Sequence, residues 1–481
     1  MSAEATPLSA EEAEHRLFER RGRQPVPVDI RYGSAASQFR VWFGANAVVS
    51  SLFVGFLGPV AFGLSFWATL SAIAVGTIIA ALGLGFASTF GPRTGMVQIL
   101  FSRFTFGYTV GRIIGFFNAL YTYSWSAVNL VTGVAAVQLA FLLLGLSALG
   151  PGKGSYTLWI IVIAAITTTV SVIGYNLVLH WEKWSTYLTI LIFAIITIAV
   201  LSHHPNAGAS STSGGAFWKN WLGMVLTSFG FGIGWITYVS DYSRKLPSTI
   251  SLPAVFVSSF LGLTLSAVWV ESLGALLTTT AFKVTAATNV VHGVPAVLGN
   301  NGWVVAGVLI IGLSTVSNNI PNDYTGGLSV QAAGLHVPRW AVTLAGGALS
   351  AIAAILFLQN FADKFQAFLL LLSYWVGAWF VLILYNFFKR GGHYDPRDWD
   401  RRSSLPAGFG PTIALLAALV AAWFGMYPLP QVDWGKLGQG LLGTSVGVDL
   451  GFIAAIVTAL VIRTLLDLVL PDRMQHLRES E

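Results

Sequence analysis

The side chains of this 481-residue chain that could do chemistry are few, and most of them are neutral. There is no cysteine, which removes disulfides, thiolate catalysis and cysteine-based zinc sites together. His180, His203, His204 and His292 stand near the ends of apolar runs, and no set of histidines and carboxylates has a metal-ligand spacing. No Walker-type glycine loop is present, so nothing points to an ATP-driven pump. What remains is a set of amides, hydroxyls and indoles inside apolar sequence. Trp125 and Asn129 are four residues apart and share a helical face. A flat ring beside a donor–acceptor group suits a planar ligand with polar edges. The other reading is that indole and amide satisfy each other inside a helix bundle. Asn318 and Asn322 repeat the spacing of four within Ser314-Thr315-Val316-Ser317-Asn318-Asn319-Ile320-Pro321-Asn322-Asp323. So many polar groups and a proline in one apolar run are costly unless they face a polar cavity.

Two further segments interrupt apolar runs. Trp42-Phe43-Gly44-Ala45-Asn46-Ala47-Val48-Val49-Ser50-Ser51, followed by Gly55, Gly58 and Pro59, groups residues of low helix propensity at mid-run. Gly230-Phe231-Gly232-Ile233-Gly234-Trp235 alternates glycines, each costing about 1 kcal/mol relative to alanine in a helix. It predicts a broken helix with Trp235 as an aromatic wall. Paired interruptions at corresponding positions of two halves are the sequence pointer to a transporter site. For the first segment the alternative is a small-residue packing face. Of the acidic residues, Glu271 stands out inside an apolar run, either as a functional carboxyl or as a buried hydrogen-bond partner. Asp241 is expected to pair with Arg244 or another basic residue nearby.

The elements that must position these groups follow from composition. Apolar residues make up 55% and charged residues 10%, against roughly 25% charge in a soluble protein. That leaves too little polar surface for water-soluble domains and excludes an ordinary soluble enzyme. A net charge of +6 is too small for a nucleic-acid binder of this size. A bilayer core needs about 20 apolar residues per helix. Such runs are read at 40–63, 66–90, 112–147, 156–178, 184–203, 217–240, 251–281, 299–333, 339–358, 361–388, 408–427 and 445–470. Twelve spans with the N-terminus inside sort the 26 lysines and arginines sharply. The outer loops hold only Lys153, Lys219, Lys283, Lys364 and Lys436, one each. All others, including Arg16, Arg20, Arg21, Arg23, Arg31 and Arg40 of the N-terminal segment, fall inside. No cleaved signal peptide is expected, the first span serving as the anchor. Trp159, Trp181, Trp184, Trp218, Trp221, Trp340 and Trp434 flank the runs as interfacial anchors.

Several of these segments together resemble nucleobase–cation symporter family one, and within it the purine–cytosine permease branch. They are Trp42…Asn46…Ser51, Gly91-Pro92-Arg93-Thr94-Gly95 with Ser102-Arg103…Phe106-Gly107, Trp125…Asn129, Gly234-Trp235…Asp241-Tyr242-Ser243-Arg244-Lys245-Leu246-Pro247, and Asn318…Pro321-Asn322. The resemblance runs from about residue 25 to 470 and implies an all-α integral membrane protein of 12 transmembrane helices. Its fold would be a five-plus-five inverted repeat with helices 1 and 6 broken. The organisation it implies is an inner N-terminal segment 1–39, a first repeat 40–203 and a second repeat 217–388. An inner loop 389–407, two additional helices over 408–470 and an inner tail 471–481 follow. In the family a flat base lies between aromatic residues matching Trp125 and Trp235, with Phe231 the fallback aromatic. Amides matching Asn129, Asn318 and Asn322 read its edge, with Ser51 contributing from the first helix. Asn129 together with Asn318-x-x-Pro321-Asn322 favours the purine–cytosine branch over the hydantoin one. The implied function is cation-coupled import of cytosine or purines across the plasma membrane by alternating access, with no cofactor and no enzymatic activity. The alternative is the same fold carrying hydantoin, allantoin or a vitamin; a channel or membrane enzyme is a different class that the sequence does not favour.

Sodium-coupled relatives use carbonyls matching Gly44 and Ala47 opposite positions matching Leu313, Val316 and Ser317. Val316 lacks the hydroxyl expected there, so H+ is the preferred coupling ion, with Glu271 as its titrating group. Na+ is the alternative, reached by a one-residue shift that brings in Ser314 or Thr315. The expected partners are a small-molecule nucleobase and the lipid bilayer, with no nucleic acid; oligomeric state is not legible.

Overall fold

The computed structural model describes residues 22–173, 175–203, 206–279, 290–335, 337–357, 361–427 and 446–469, with the side chains of 175–183, 339, 357 and 361–373 outside that description. Residues Arg16, Arg20, Arg21, His204, Lys283, Trp434, Lys436, Arg473 and Arg478 therefore lie outside the described residues, as do the side chains of His180, Trp181, Lys183, Arg339 and Lys364.

All regular structure among the described residues is helical. Helices α1 (Ala35–Asn46) and α2 (Val49–Val60) overlie the first apolar run and α3 (Phe66–Ser88) the second. A short α4 (Phe90–Thr94) leads to α5 (Phe101–Leu143), α6 (Lys153–Ile173) and α7 (Tyr175–Ser202). The second half holds α8 (Gly214–Ile233), α9 (Val239–Ser243), α10 (Leu252–Leu277), α11 (Gly293–Leu298), α12 (Gly302–Ala332), α13 (Arg339–Phe357) and α14 (Phe361–Lys389). Helices α15 (Phe409–Gly425) and α16 (Gly451–Val469) follow. Among the described residues seven helices are long and apolar enough to cross a membrane, or eight with the α1–α2 pair taken as one span bent by 59°.

Two boundaries differ from the hydropathy reading for identifiable reasons. The third run was expected to start at 112, but α5 starts at Phe101 and kinks at Gly107 (φ 78°, ψ 179°). Arg103 interrupts the apolar pattern, yet it is only 1% exposed, because it donates to Ala332 O at 2.6 Å and Trp399 O at 3.1 Å and pairs with Asp400. The alternating glycines of the sixth run do not open the chain where they begin. Helix α8 continues through Gly230 and Gly232 to Ile233; a 3-10 turn then spans Gly234–Thr237. Gly232 and Gly234 serve close packing instead, since a Cβ would come within 2.8 Å of Ala80 Cβ and 2.5 Å of the Tyr121 hydroxyl respectively.

Helices far apart in sequence pack in pairs: α3 lies along α10, α5 along α12 and α6 along α13. Helices α1 and α2 also pack on α10, and α3 on α8. In lipid, apolar surface alone does not hold helices together, and small residues that admit close backbone contact do. A Cβ on Gly55 of α2 would fall 1.6 Å from Glu271 O, and one on Gly274 of α10 would fall 2.1 Å from Leu52 O. Gly133 of α5 and Gly312 of α12 stand in the same relation, each 3.0 Å from the other's carbonyl oxygen. These contacts hold α2 against α10 and α5 against α12.

Candidate functional site

The break in the first run is local and well satisfied. Helix α1 ends at Asn46, Ala47 (φ −81°, ψ 65°) and Val48 (φ −140°, ψ 166°) leave the helical region, and α2 begins at Val49. Gly44 remains inside α1 and buried. Asn46 caps the break from both sides: its Nδ2 donates to Trp42 O at 2.8 Å, and its Oδ1 accepts from Trp235 Nε1 at 2.9 Å. Ser51 Oγ donates to Asn46 O at 2.5 Å, so this hydroxyl is occupied in closing the break. Ala45 O, freed from helical bonding, accepts from Asn318 Nδ2 at 3.0 Å.

The second break faces the first. Tyr238 (φ −143°, ψ 13°) joins the 3-10 turn to α9 and is 2% exposed. Its hydroxyl donates to Asn322 Oδ1 at 2.7 Å. Beside the second break lies a small cavity of about 10 Å³, lined by Trp125, Phe231, Gly234, Trp235, Tyr238, Asn318 and Asn322. Of the residues read from the sequence, Trp125, Trp235, Asn318, Asn322 and Phe231 are therefore together at one cavity, while Ser51 and Asn129 are not part of its lining. Asn129 lies behind it and donates through Nδ2 to Asn318 Oδ1 at 2.7 Å and to Asn319 Oδ1 at 2.9 Å. Its own Oδ1 is buried without a partner. Tyr238 is the lining residue that sequence reading missed. It stands three residues after Trp235, a spacing that would have drawn it onto the same face.

The rings meet edge to face. Trp125 lies 5.8 Å from Phe231 at 74°, Trp42 lies 5.7 Å from Trp235 at 62°, and Trp235 lies 5.3 Å from Tyr238 at 69°. The cavity is far smaller than the about 300–1,000 Å³ usual for ligand sites, so a ring-sized ligand fits only if lining side chains move aside. No charged side chain lines it. It can offer stacking faces and amide or hydroxyl hydrogen bonds, and nothing that would clamp a phosphate.

The positions named for ion coupling are spread more widely. Val49 N donates to Ser314 Oγ at 3.3 Å, so a hydroxyl of α12 does face the break. Ser317 Oγ instead donates to Ser185 Oγ at 2.5 Å, and Leu313 is half-buried. Glu271 of α10 is fully buried and accepts from Ser228 Oγ at 2.6 Å; its Oε1 has no partner. It is not among the pocket residues. Asp241 accepts from Gln98 N at 2.9 Å and Thr325 Oγ1 at 2.8 Å. Glu271 was read as the clear acid within the spans, but Asp323 is a second one, inside α12 and 2% exposed. Among the described residues no cluster of histidine and acidic side chains could hold a metal.

Residues 25–404 match the family described as permease for cytosine/purines, uracil, thiamine, allantoin. The chain belongs to this permease family. It is a membrane transporter, not an enzyme. Purine-cytosine permease FCY2 of Saccharomyces cerevisiae is 30% identical over 96% of this chain and 89% of its own length. Purine-cytosine permease fcyB of Emericella nidulans is 30% identical over 93% of this chain and 88% of its own. The fold is similar to that of Mhp1, a nucleobase-cation-symport-1 family transporter solved in a closed conformation with bromovinylhydantoin bound. That likeness has a TM-score of 0.73 at 17% identity and covers 94% of this chain and 96% of the other. The permease's pocket thus sits in a transporter fold, at the interruption of the sixth run.

Proposed function

We propose that this permease imports a nucleobase, cytosine or a purine, by proton-coupled symport through alternating access. The observation that carries the reading is the pocket of indoles, phenol and amides beside the second helix break, with no charged side chain among its described lining residues. A nucleobase is planar, neutral and edged with donors and acceptors. Stacking on an aromatic face contributes about 1–3 kcal/mol per base, and buried amides discriminate by penalising a ligand that leaves them unpaired. In this reading the base slides between Trp125 and Trp235 as Phe231 turns away, and Asn318 and Asn322 exchange their protein partners for its edge. Asn129 acts on the base through the Asn318 amide, and Ser51 holds the first break in shape.

Those exchanges supply the link to movement. Asn318 is bonded to Ala45 O on the first run and Asn322 to Tyr238 on the sixth. A base that takes over both amides loosens both runs from α12, with twelve spans arranged as a five-plus-five repeat and helices 1 and 6 broken. Differential bonding of this kind is what lets a ligand shift a conformational equilibrium. The protein works in the plasma membrane with both termini cytoplasmic. The coupling ion is a proton carried by a buried carboxyl, Glu271 being the one expected from the sequence. Ser314 Oγ at the first break supports sodium as the second reading, with Gly44 and Ala47 carbonyls, Leu313 and Ser317 as the remaining positions.

Radiolabelled cytosine, adenine, hypoxanthine, uracil and allantoin, offered to expressing cells with pH and sodium varied separately, test this. Saturable uptake of cytosine or a purine that rises with an inward proton gradient is expected. Asn318→Ala and Trp125→Ala should reduce it at least about tenfold, the loss of one buried hydrogen bond or stacking contact. Absence of any purine or cytosine uptake overturns the substrate, full transport in both variants overturns the site, and sodium-driven uptake indifferent to pH overturns the proton.

A further inference from the structure

Asp323 has no role in the reading above, yet it is the acidic side chain that reaches the pocket through hydrogen bonds. It follows Asn322 on α12 and is 2% exposed. Ser126 Oγ donates to its Oδ1 at 2.7 Å and Thr168 Oγ1 to its Oδ2 at 3.4 Å. Among the described residues no basic side chain pairs with it. An acidic residue kept inside a span with hydroxyl partners alone is a functional candidate by default.

The ionisable groups on the elements packed against α12 are few. Helix α5 brings Arg103, which donates to Ala332 O, Arg112, Tyr108, Tyr121 and Tyr123, whose hydroxyl donates to Val342 O at 3.3 Å. Helix α6 brings Thr168 and Ser171, its one charge being Lys153 at the first residue, and α13 has only Arg339 at its first residue. Tyr238 is on Asn322; α9 brings Tyr242 and Asp241, the latter held by Gln98 and Thr325. Arg244 donates to the Tyr324 hydroxyl at 3.3 Å. The ionisable residues of α7 are Tyr175, His180, Glu182, Lys183 and Tyr187, and Arg40 stands on α1.

Serine and threonine hydroxyls donate to a carboxylate and, by rotating, accept from a carboxylic acid. Asp323 therefore keeps its partners in either state, and the state is written into the orientation of Ser126. The main-chain oxygen of that same residue accepts from Asn319 Nδ2 at 3.0 Å. Asn319 Oδ1 accepts from Asn129, which also donates to Asn318 at the pocket. Trp125, the adjacent residue, lines the pocket itself. Glu271 bonds to Ser228, which neither lines the pocket nor adjoins a lining residue in sequence.

We propose that Asp323 carries the coupling proton, taken up together with the base on one side of the membrane and released with it on the other. The carboxylate gains a proton and Ser126 Oγ turns from donor to acceptor; release reverses both. The inference rests on the proton-symport reading and deepens it by moving the proton to a residue wired to the base. By linkage, a base that binds the protonated form better must take up a proton on binding, with a coupling of typically about 5- to 150-fold.

The full chain in proteoliposomes, with radiolabelled cytosine and hypoxanthine as probes, provides the test. Wild type should accumulate base uphill under an inward proton gradient, and its base affinity should change by about tenfold or more between acid and neutral pH. Asp323→Asn should bind and exchange base in counterflow but neither accumulate it uphill nor show that pH dependence. Counterflow guards against reading misfolding as loss of coupling. Ser126→Ala should shift the pH midpoint of base binding, which tests the path should Asp323→Asn not fold. Proton-driven accumulation retained in Asp323→Asn, or a pH profile unmoved in Ser126→Ala, overturns this inference alone. Loss of coupling in Glu271→Gln with coupling intact in Asp323→Asn also overturns it. Wild-type uptake that ignores pH overturns both this and the proton reading.

Discussion

Asn322 is an amide whose two ends are chemically opposite, so what it reads depends on which end faces the base. Tyr238 orients this amide before the base arrives, donating its hydroxyl to Oδ1 while Nδ2 donates to Asn318 O at 3.3 Å. A Tyr238→Phe substitution keeps the ring against Trp235 and removes the donor. One neutral hydrogen bond contributes about 0.5–1.5 kcal/mol, so discrimination between cytosine and uracil should narrow roughly 2- to 13-fold. Competition uptake measures this directly, and discrimination equal to wild type would show that Tyr238 does not orient the amide. Ser51 and Asn129 teach the complementary point. Both were drawn to the base from their positions, and the hydrogen bonds they make are with Asn46 O and with Asn318 and Asn319. Such residues shape the site from behind, and nothing in residue type separates them from those that line it.

At the level of elements, the breaks are positioned by helices that touch backbone to backbone. Gly55 on α2 and Gly274 on α10 both face carbonyl groups across the contact, so any side chain there must part the helices. Gly274→Val should destabilise the fold by more than the about 1–3 kcal/mol of ordinary overpacking, because backbone cannot yield as a side-chain tip can. Gly154, at the start of α6 with nothing within 4 Å, is the contrast: Gly154→Ala should be neutral or slightly stabilising. Thermal unfolding in detergent, read by loss of the monodisperse peak, compares the two; equal midpoints would refute the packing role. The glycine-rich sixth run shows why composition misplaces such features. Glycine lowers helix propensity and also permits close approach, and here α8 stays helical through Gly232 because Ala80 packs against it.

Across the whole molecule, the end that the charge distribution assigns to the cytoplasm is tied by buried arginines. Arg103 binds the end of α12 through Ala332 O and the α14–α15 connection through Trp399 O and Asp400. Arg244 donates to Gly22 O at 3.0 Å, Val26 N donates to Gly95 O at 2.9 Å, and Arg31 reaches Pro92 O at 2.7 Å. The N-terminal segment therefore crosses the ends of the second and sixth runs. Arg103 is 1% exposed and Asp400 is 42% exposed, so the two halves of this ion pair are not equivalent. Arg103→Ala strands the Ala332 and Trp399 carbonyl oxygens and should lower stability by about 1–3 kcal/mol for each that stays unsatisfied. Asp400→Asn leaves the two carbonyl bonds and should cost about 1 kcal/mol or less. Unfolding midpoints in detergent rank the two, and a larger loss for Asp400→Asn would show that the ion pair, not the carbonyls, holds this end.

Much of this was legible before any coordinates. The scarcity of charge set the solvent, the spacing of four in Trp125…Asn129 and Asn318…Asn322 picked out polar faces, and low helix propensity marked the first break. These are local properties, written in residue type and helical period, and lipid allows few alternatives to a helix. Tertiary structure alone decided the rest: which polar groups face the pocket and which face each other, that Arg103 is buried, and that Asp323 bonds to Ser126 beside the pocket residue Trp125. The reason is that hydrogen-bond partners in a bundle come from residues on the order of a hundred or more positions away, such as Ser126 and Asp323 or Asn46 and Trp235. No periodicity in one segment records what another segment brings to it.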